Sequence, residues 1–440
     1  MDRRHAEHRS KLRFLLRSAV GLASTSVLTS VLGFFYWALA ARTFPASDVG
    51  QSSTALSAVN LIVSATMLGF GTLLVSELPT MGQGRTSLVS TAALLTGAIA
   101  GLVALGCALV LPGDFLGLPG IHTLGVGLMF AAMASTQSIG YLLDQALLPL
   151  IGGGMQLRRN AVHAVVKLVL LAVAAVTLTR FGALAIFGTW LVANIVSIVF
   201  VTVRLMRRYS IEMRQLSPNP ASLRGLHFDA AKHHSLNIAL FVPYSAMSIV
   251  ANVILGSAEA AYVYSAWSVA GFVFFLPMAL STALFASGAR DSGTFLMEFR
   301  KTMRYSTLVC VLAIAGIVVA GRPVLHIFGE SYAEHSYGPL VVMSLGGLAL
   351  IVKDHHVALA RITDTVGREA ILVGVLSAVE VAGAVVGAVR GGLIGLSLGW
   401  LAAVGLGALV YGLRVWQAYR GRIEVPSRSP EAQLPEAGTS

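Results

Sequence analysis

Charge is scarce in this sequence. Lys, Arg, Asp and Glu make up 12% of its 440 residues, about half of what a soluble domain carries. Charged surface for two or three water-exposed domains is therefore missing, and an ordinary soluble enzyme is excluded. Cysteine is nearly absent as well. Cys107 and Cys310 both lie inside apolar runs, which leaves no disulfide framework and no thiolate metal site on offer. No Gly-x-x-x-x-Gly-Lys-Ser/Thr loop occurs, so ATP is not expected as a direct energy source.

What the sequence has in abundance is apolar length: 56% of residues are hydrophobic and the mean hydropathy is +0.77. A bilayer core needs about twenty apolar residues per helix. Read on that ruler, the chain predicts an all-α polytopic membrane protein with twelve spans. These are Phe14 to Ala41, Val49 to Ser76, Ser87 to Leu111, His122 to Leu148, Ala161 to Leu178 and Ala183 to Val203, then Leu236 to Leu255, Ala260 to Ala286, Tyr305 to Val319, Pro339 to Val357, Ala370 to Val389 and Leu393 to Leu413. The first apolar run outlasts a signal-peptide core and reads as an uncleaved anchor.

The cations test this count, because Lys and Arg accumulate in cytoplasmic loops. With the N-terminus inside, twenty-five of the thirty-one fall on the inner side, only Arg42, Arg180, Arg322 and Arg390 fall outside, and Lys167 and Lys353 lie within spans. That asymmetry predicts a multi-pass protein of the cytoplasmic membrane with both termini cytoplasmic. The net charge of +11 is then topological and gives no reason to expect nucleic acid as a partner.

Sliding the chain against itself by 210 residues superposes Asp144 on Asp354, Arg158 on Arg368, Arg180 on Arg390, Gly182 on Gly392 and Trp190 on Trp400. The chain therefore reads as a parallel repeat of six helices, two lobes of the kind used in alternating access. The expected domains are an N-terminal lobe at 1–205, a cytoplasmic linker at 206–234, a C-terminal lobe at 235–418 and a disordered tail at 419–440. In the linker, Leu223, Leu226 and Phe228 fit either a short interfacial helix or an exposed tether.

The stretch from Gly21 to Pro79 carries Arg42, Phe44, Pro45, Asp48, Val49 and Gly50 at its centre, with Gly69, Gly71, Leu78 and Pro79 closing the second span. This pattern resembles the start of the polysaccharide flippases in the multidrug/oligosaccharidyl-lipid/polysaccharide exporter superfamily. The resemblance implies paired six-helix bundles moving an undecaprenyl-diphosphate-linked glycan between leaflets, with membrane lipids and polysaccharide polymerase or export machinery as partners. No organic cofactor is expected, and an intramembrane carboxylate would couple transport to H⁺ or Na⁺.

Independently of any resemblance, ionisable side chains inside spans cost about 2.5–3.5 kcal/mol each on insertion scales and normally face the protein interior. Lys167, Lys353, Arg17 and Arg42 are the candidates for holding a diphosphate. Against this stands a purely structural reading, in which Lys167 pairs with Asp144, and Lys353 with Asp354 or Glu380. Glu380 is the candidate for ion coupling, and the equivalent pair Asp144 and Asp354 are candidates for a gate or helix caps. Two other functions fit the topology. A drug or cation antiporter would want a cavity led by carboxylates, and a glycan polymerase or ligase would want a large outer loop. The internal charges are basic rather than acidic in balance, and the outer loops are short, which favours the flippase over either and predicts a transporter rather than an enzyme.

Overall fold

A computed structural model describes residues 28–79, 81, 84–223, 230–288 and 295–423. Arg17, the core of the linker and nearly all of the expected tail lie outside these. The described residues form helices and turns, with no strand among them. We number the helices α1 (28–43), α2 (Ala46–Thr66), α3 (Phe70–Glu77), α4 (Arg85–Val110), α5 (Gly113–Leu116), α6 (Leu124–Ile151), α7 (Gly153–Thr177) and α8 (Ala183–Tyr209). They continue with α9 (Ala230–Leu255), α10 (Ser257–Gly288), α11 (Phe295–His326), α12 (Glu330–His335), α13 (Tyr337–Ile362) and α14 (Val366–Tyr419). Among the described residues eight of these are long and apolar enough to cross a membrane. Their outer faces carry bare aliphatic side chains such as Val176 and Val319, each more than 80% exposed, a surface stable only against lipid.

Three expected spans are built differently. The second is broken into α2 and α3 at Leu68 and Gly69, both in left-handed backbone. The last two are joined as the 54-residue α14, interrupted only at Gly391 and Gly392. Several helices also outrun their apolar cores: α7 begins at Gly153 and so includes Arg158 and Arg159, which the hydropathy reading assigns to a loop.

The chain divides into two compact units, Met1–Tyr264 with Ile327–Gly329, and Ser265–His326 with Glu330–Ser440. In the first unit the closest helix pair is α4 with α6. Gly97 and Gly101 of α4 lie against Ser135, Ile139 and the Ala131 carbonyl of α6, the small-residue contact that apolar helices use where no water drives them together. Phe70, Leu73, Leu74 and Leu78 of α3 fill the end of this pair with Leu88 and Leu142. Ahead of α8, Asp48 at the start of α2 accepts the Ala183 N–H, which satisfies an unpaired donor at that helix's N-terminus. A Cβ on Gly182 would collide with the same carboxylate.

In the second unit the two arms of α14 pack on one another. Gly383 and Gly387 on one arm face Gly399 and Gly395 on the other, so close that carbonyl oxygens occupy the space where each Cβ would stand. Gly391 belongs to the turn rather than to this contact, with open space around it. The repeat is visible in the backbone itself. Gly182 and its counterpart Gly392 adopt nearly the same conformation, φ 51°, ψ −125° and φ 59°, ψ −141°, and α8 and the second arm of α14 start there.

Gly387→Val and Gly395→Val should each force the α14 arms apart. Overpacking of this kind costs about 1–3 kcal/mol, so we expect a melting temperature in detergent lowered by several degrees, whereas Gly405→Val, with open space around it, should melt like the parent.

Candidate functional site

The two units treat their buried charges differently. In the first, α6 presents Asp144 and α7 presents Arg159, and the guanidinium grips the carboxylate through two bonds, Nε to Oδ1 at 2.6 Å and Nη2 to Oδ2 at 2.5 Å. Asn160 donates to the same carboxylate at 3.0 Å, and Arg159 Nη1 reaches Ser197 of α8 at 3.4 Å. Gly140 clears the space that the guanidinium occupies. Both charges are buried, and a bidentate, hydrogen-bonded pair is the geometry in which such burial is sustainable.

Asp144 therefore belongs to Arg159, and the expected pairing with Lys167 is not formed. The cause is reach. Arg159 enters α7 earlier than hydropathy suggests and takes the carboxylate, while Lys167 lies two turns further on. Asp144 and Asp354 are both interior to their helices and cap neither end.

Lys167 is 5% exposed. Its Nζ sits 3.7 Å from the centre of the Trp190 ring on α8 and 5.1 Å from the Tyr36 ring on α1. Among the described residues no ion pair or hydrogen bond ties Nζ. The cradle is rigid. Tyr36 is held through its hydroxyl by Thr189 at 2.7 Å and the Ile186 carbonyl at 3.0 Å, and Tyr36, Trp37 and Trp190 pack edge to face or tilted on one another. One turn before Lys167, His163 packs on Trp190 with its Nε2 buried and without a partner among the described residues. Ring faces supply part of what a cation loses on leaving water, but neither ring carries the negative charge that would neutralise it.

In the second unit the charges are closed. Lys353 of α13 meets Glu380 of α14 at 2.6 Å, with both side chains buried, and Trp400 Nε1 donates to the other carboxylate oxygen at 3.3 Å. Of the two acids open to Lys353 from the sequence, the structure selects Glu380. Nearer the start of α14, Glu369 is held by Arg414 and by His356 at 2.9 Å, and Arg414 also donates to Thr363 and Thr365 at 2.8 Å.

Compared through the repeat, the units are chemically inverted. Trp190 and Trp400 are equivalent, yet one stacks on a lysine and the other bonds a glutamate. The equivalent of Arg159 is Glu369, and that of Lys353 is Leu143, so the first unit lacks at that place the group that closes the charge in the second. Arg159 and Arg414 are the residues that sequence reasoning missed. The cation count places Arg159 in a loop and Arg414 in the tail, and the signal available for Arg414 is its matching offset with Arg204. Arg42 lies exposed at the end of α1 with its Nε on the Ile327 carbonyl at 3.0 Å.

No family model and no curated protein matches the sequence. The fold does match solved structures. An inward-facing multidrug resistance MATE family transporter of the MOP superfamily superposes with a TM-score of 0.68 at 14% identity, covering 92% of this chain and 100% of that one. The chain has the MOP superfamily fold. The lipid II flippase MurJ, in an inward closed conformation, gives 0.65 at 12% identity over 92% of this chain and 91% of the other. A MOP superfamily transporter from Pyrococcus furiosus, described by the reverse polarity of its binding pocket, gives 0.62 at 14% identity over 92% and 95%. The expectation of an all-α fold of the MOP kind therefore holds.

The two kinds of buried lysine separate on mutation. Removing one partner of a buried pair costs about 3–5 kcal/mol, so Asp144→Asn and Lys353→Met should both lower the melting temperature strongly, and Glu380→Leu should restore much of the loss in the Lys353→Met background. Lys167→Met, which strands no carboxylate, should melt at or above the parent temperature.

Proposed function

We propose that this protein is a flippase that moves a lipid-diphosphate-linked oligosaccharide across the cytoplasmic membrane for cell-surface polysaccharide biosynthesis. The reading rests on one observation: Lys167 is buried at an aromatic cradle, with no carboxylate among the described residues closing it. Burying a basic group without a counter-charge is costly, and an anionic headgroup would complete the site. A diphosphate can accept from Lys167 Nζ and from His163 Nε2 beside it, in a place where low dielectric strengthens each bond. The fold match to a lipid II flippase supports a substrate with a lipid carrier.

In this reading twelve spans form two six-helix lobes on either side of the 206–234 linker, with both termini cytoplasmic. The Lys353–Glu380–Trp400 cluster carries the coupling ion's effect. Glu380 accepts H⁺ or Na⁺ in one state and gives its charge to Lys353 in the other, driven by the ion gradient. Asp144 and Asp354 contribute to gating rather than to binding, and Arg42 is a secondary contact for the headgroup. Polysaccharide polymerase or export machinery would receive the product.

The second reading is a multidrug antiporter, favoured by the fold match to a MATE family transporter. A buried lysine repels cationic drugs, so the two readings differ in sign.

In proteoliposomes with an imposed ion gradient, the protein is expected to translocate a diphosphate-linked glycolipid and to leave cationic dyes where they are. Lys167→Met should reduce translocation at least tenfold at equal or higher melting temperature, and Lys167→Arg should retain part of it. Export of cationic dyes without glycolipid movement would establish the antiporter instead.

A further inference from the structure

One basic surface in the second unit serves neither the fold nor the proposed site. It is built where α11 begins and α14 ends. On α11, Met297, Lys301, Arg304, Tyr305, Leu308 and Leu312 recur at three- and four-residue steps, share one face and are all exposed. On α14, Leu409, Leu413, Trp416 and Arg420 do the same. Along each stripe the order is the same. Bare aliphatic side chains come first, then an exposed aromatic ring, then cations, with Met297 beyond the cations on α11. That is the order of a bilayer from hydrocarbon through interface to headgroups.

The two stripes are tied together. Arg300 Nε donates to the Tyr419 carbonyl at 2.9 Å, its guanidinium lies over the Tyr419 ring, and Leu296 packs on Gly421. Arg420 and Arg422 lie 5.3 Å and 5.2 Å from the Trp416 ring, so two guanidiniums share one indole. Leu296, Met297, Arg300, Lys301 and Arg304 line a shallow depression on this surface. Between residues 295–304 and 416–423 the sequence holds five cations and a single acid, Glu298.

We propose that this surface binds the headgroups of anionic phospholipids, with Lys301, Arg304, Arg420 and Arg422 on the phosphates and the aliphatic stripes of α11 and α14 along the acyl chains. Charge complementarity selects an anion. Continuity of the cations with two lipid-facing stripes selects a lipid over a soluble acidic partner, which would leave Leu308, Leu312, Leu409 and Leu413 uncovered. By the positive-inside rule the headgroups belong to the cytoplasmic leaflet. Near a membrane surface each cation strengthens binding of acidic lipid about fivefold, so four act together as a retention site.

The full chain, purified in detergent with equal phosphatidylglycerol and phosphatidylcholine and released in a native mass spectrometer, should retain phosphatidylglycerol at least tenfold over phosphatidylcholine. The variant K301Q/R304Q/R420Q/R422Q should fall to near parity. It alters only exposed side chains and leaves Arg300 on Tyr419, so its melting temperature should match the parent. Should it fail to fold, K301Q/R304Q and R420Q/R422Q made separately should each lose part of the preference. R204Q/R207Q on α8 should keep all of it. A parent without preference, or variants that keep it, would overturn the assignment. So would displacement of the retained lipid by excess inorganic phosphate or by polyglutamate.

Discussion

A charge buried in a membrane protein has to find its opposite inside the protein, and the Arg159–Asp144 grip is where this chain meets that demand most fully. Two parallel bonds, an asparagine and a serine take up nearly every donor and acceptor of the pair, and α6, α7 and α8 are fixed to one another by doing so. The same demand is met in the second unit by Lys353 with Glu380, and by Glu369 with Arg414 and His356. Such pairs add less to stability than their Coulomb energy suggests, because desolvation offsets most of it. Their effect is on specificity: a helix that slipped by one turn would strand a charge.

Against that background Lys167 is the exception among the described residues. It receives ring faces where the other buried cations receive carboxylates, and aromatic faces are a weaker and non-neutralising substitute. The repeat shows that the difference lies at particular positions. The duplicated tryptophan persists in both units while the groups around it change sign. A fold of two related halves can in this way carry a closed charge cluster in one and an open cationic group in the other. That division of labour suits a transporter whose substrate binding and ion coupling are separate tasks.

Much of this was legible in the sequence. Hydropathy found the long helices, and the offset of 210 found the repeat whose glycine turns share one backbone conformation. The facing of Gly383 and Gly387 on Gly399 and Gly395 is not legible in the sequence, since pairing across a turn needs its geometry. The intramembrane lysines and carboxylates stood out because ionisable residues are rare in spans. Their partners did not, since hydropathy ends a helix at its first arginine. Arg159 is thereby assigned to a loop and Arg414 to the tail, although both point inward from helices that outrun the apolar core. The break at Leu68 and Gly69 is hidden for the opposite reason: no charged residue marks it, and Gly69 reads as part of the close of one continuous span.

The central claim is that Lys167 is left open for an anionic headgroup, and binding tests it more directly than transport. Purified protein titrated with a polyprenyl diphosphate should gain thermal stability with saturation, and Lys167→Met, folded and of equal or higher intrinsic melting temperature, should lose at least tenfold in apparent affinity while Lys353→Met with Glu380→Leu keeps it. Equal stabilisation of the parent and Lys167→Met by the diphosphate would contradict the account.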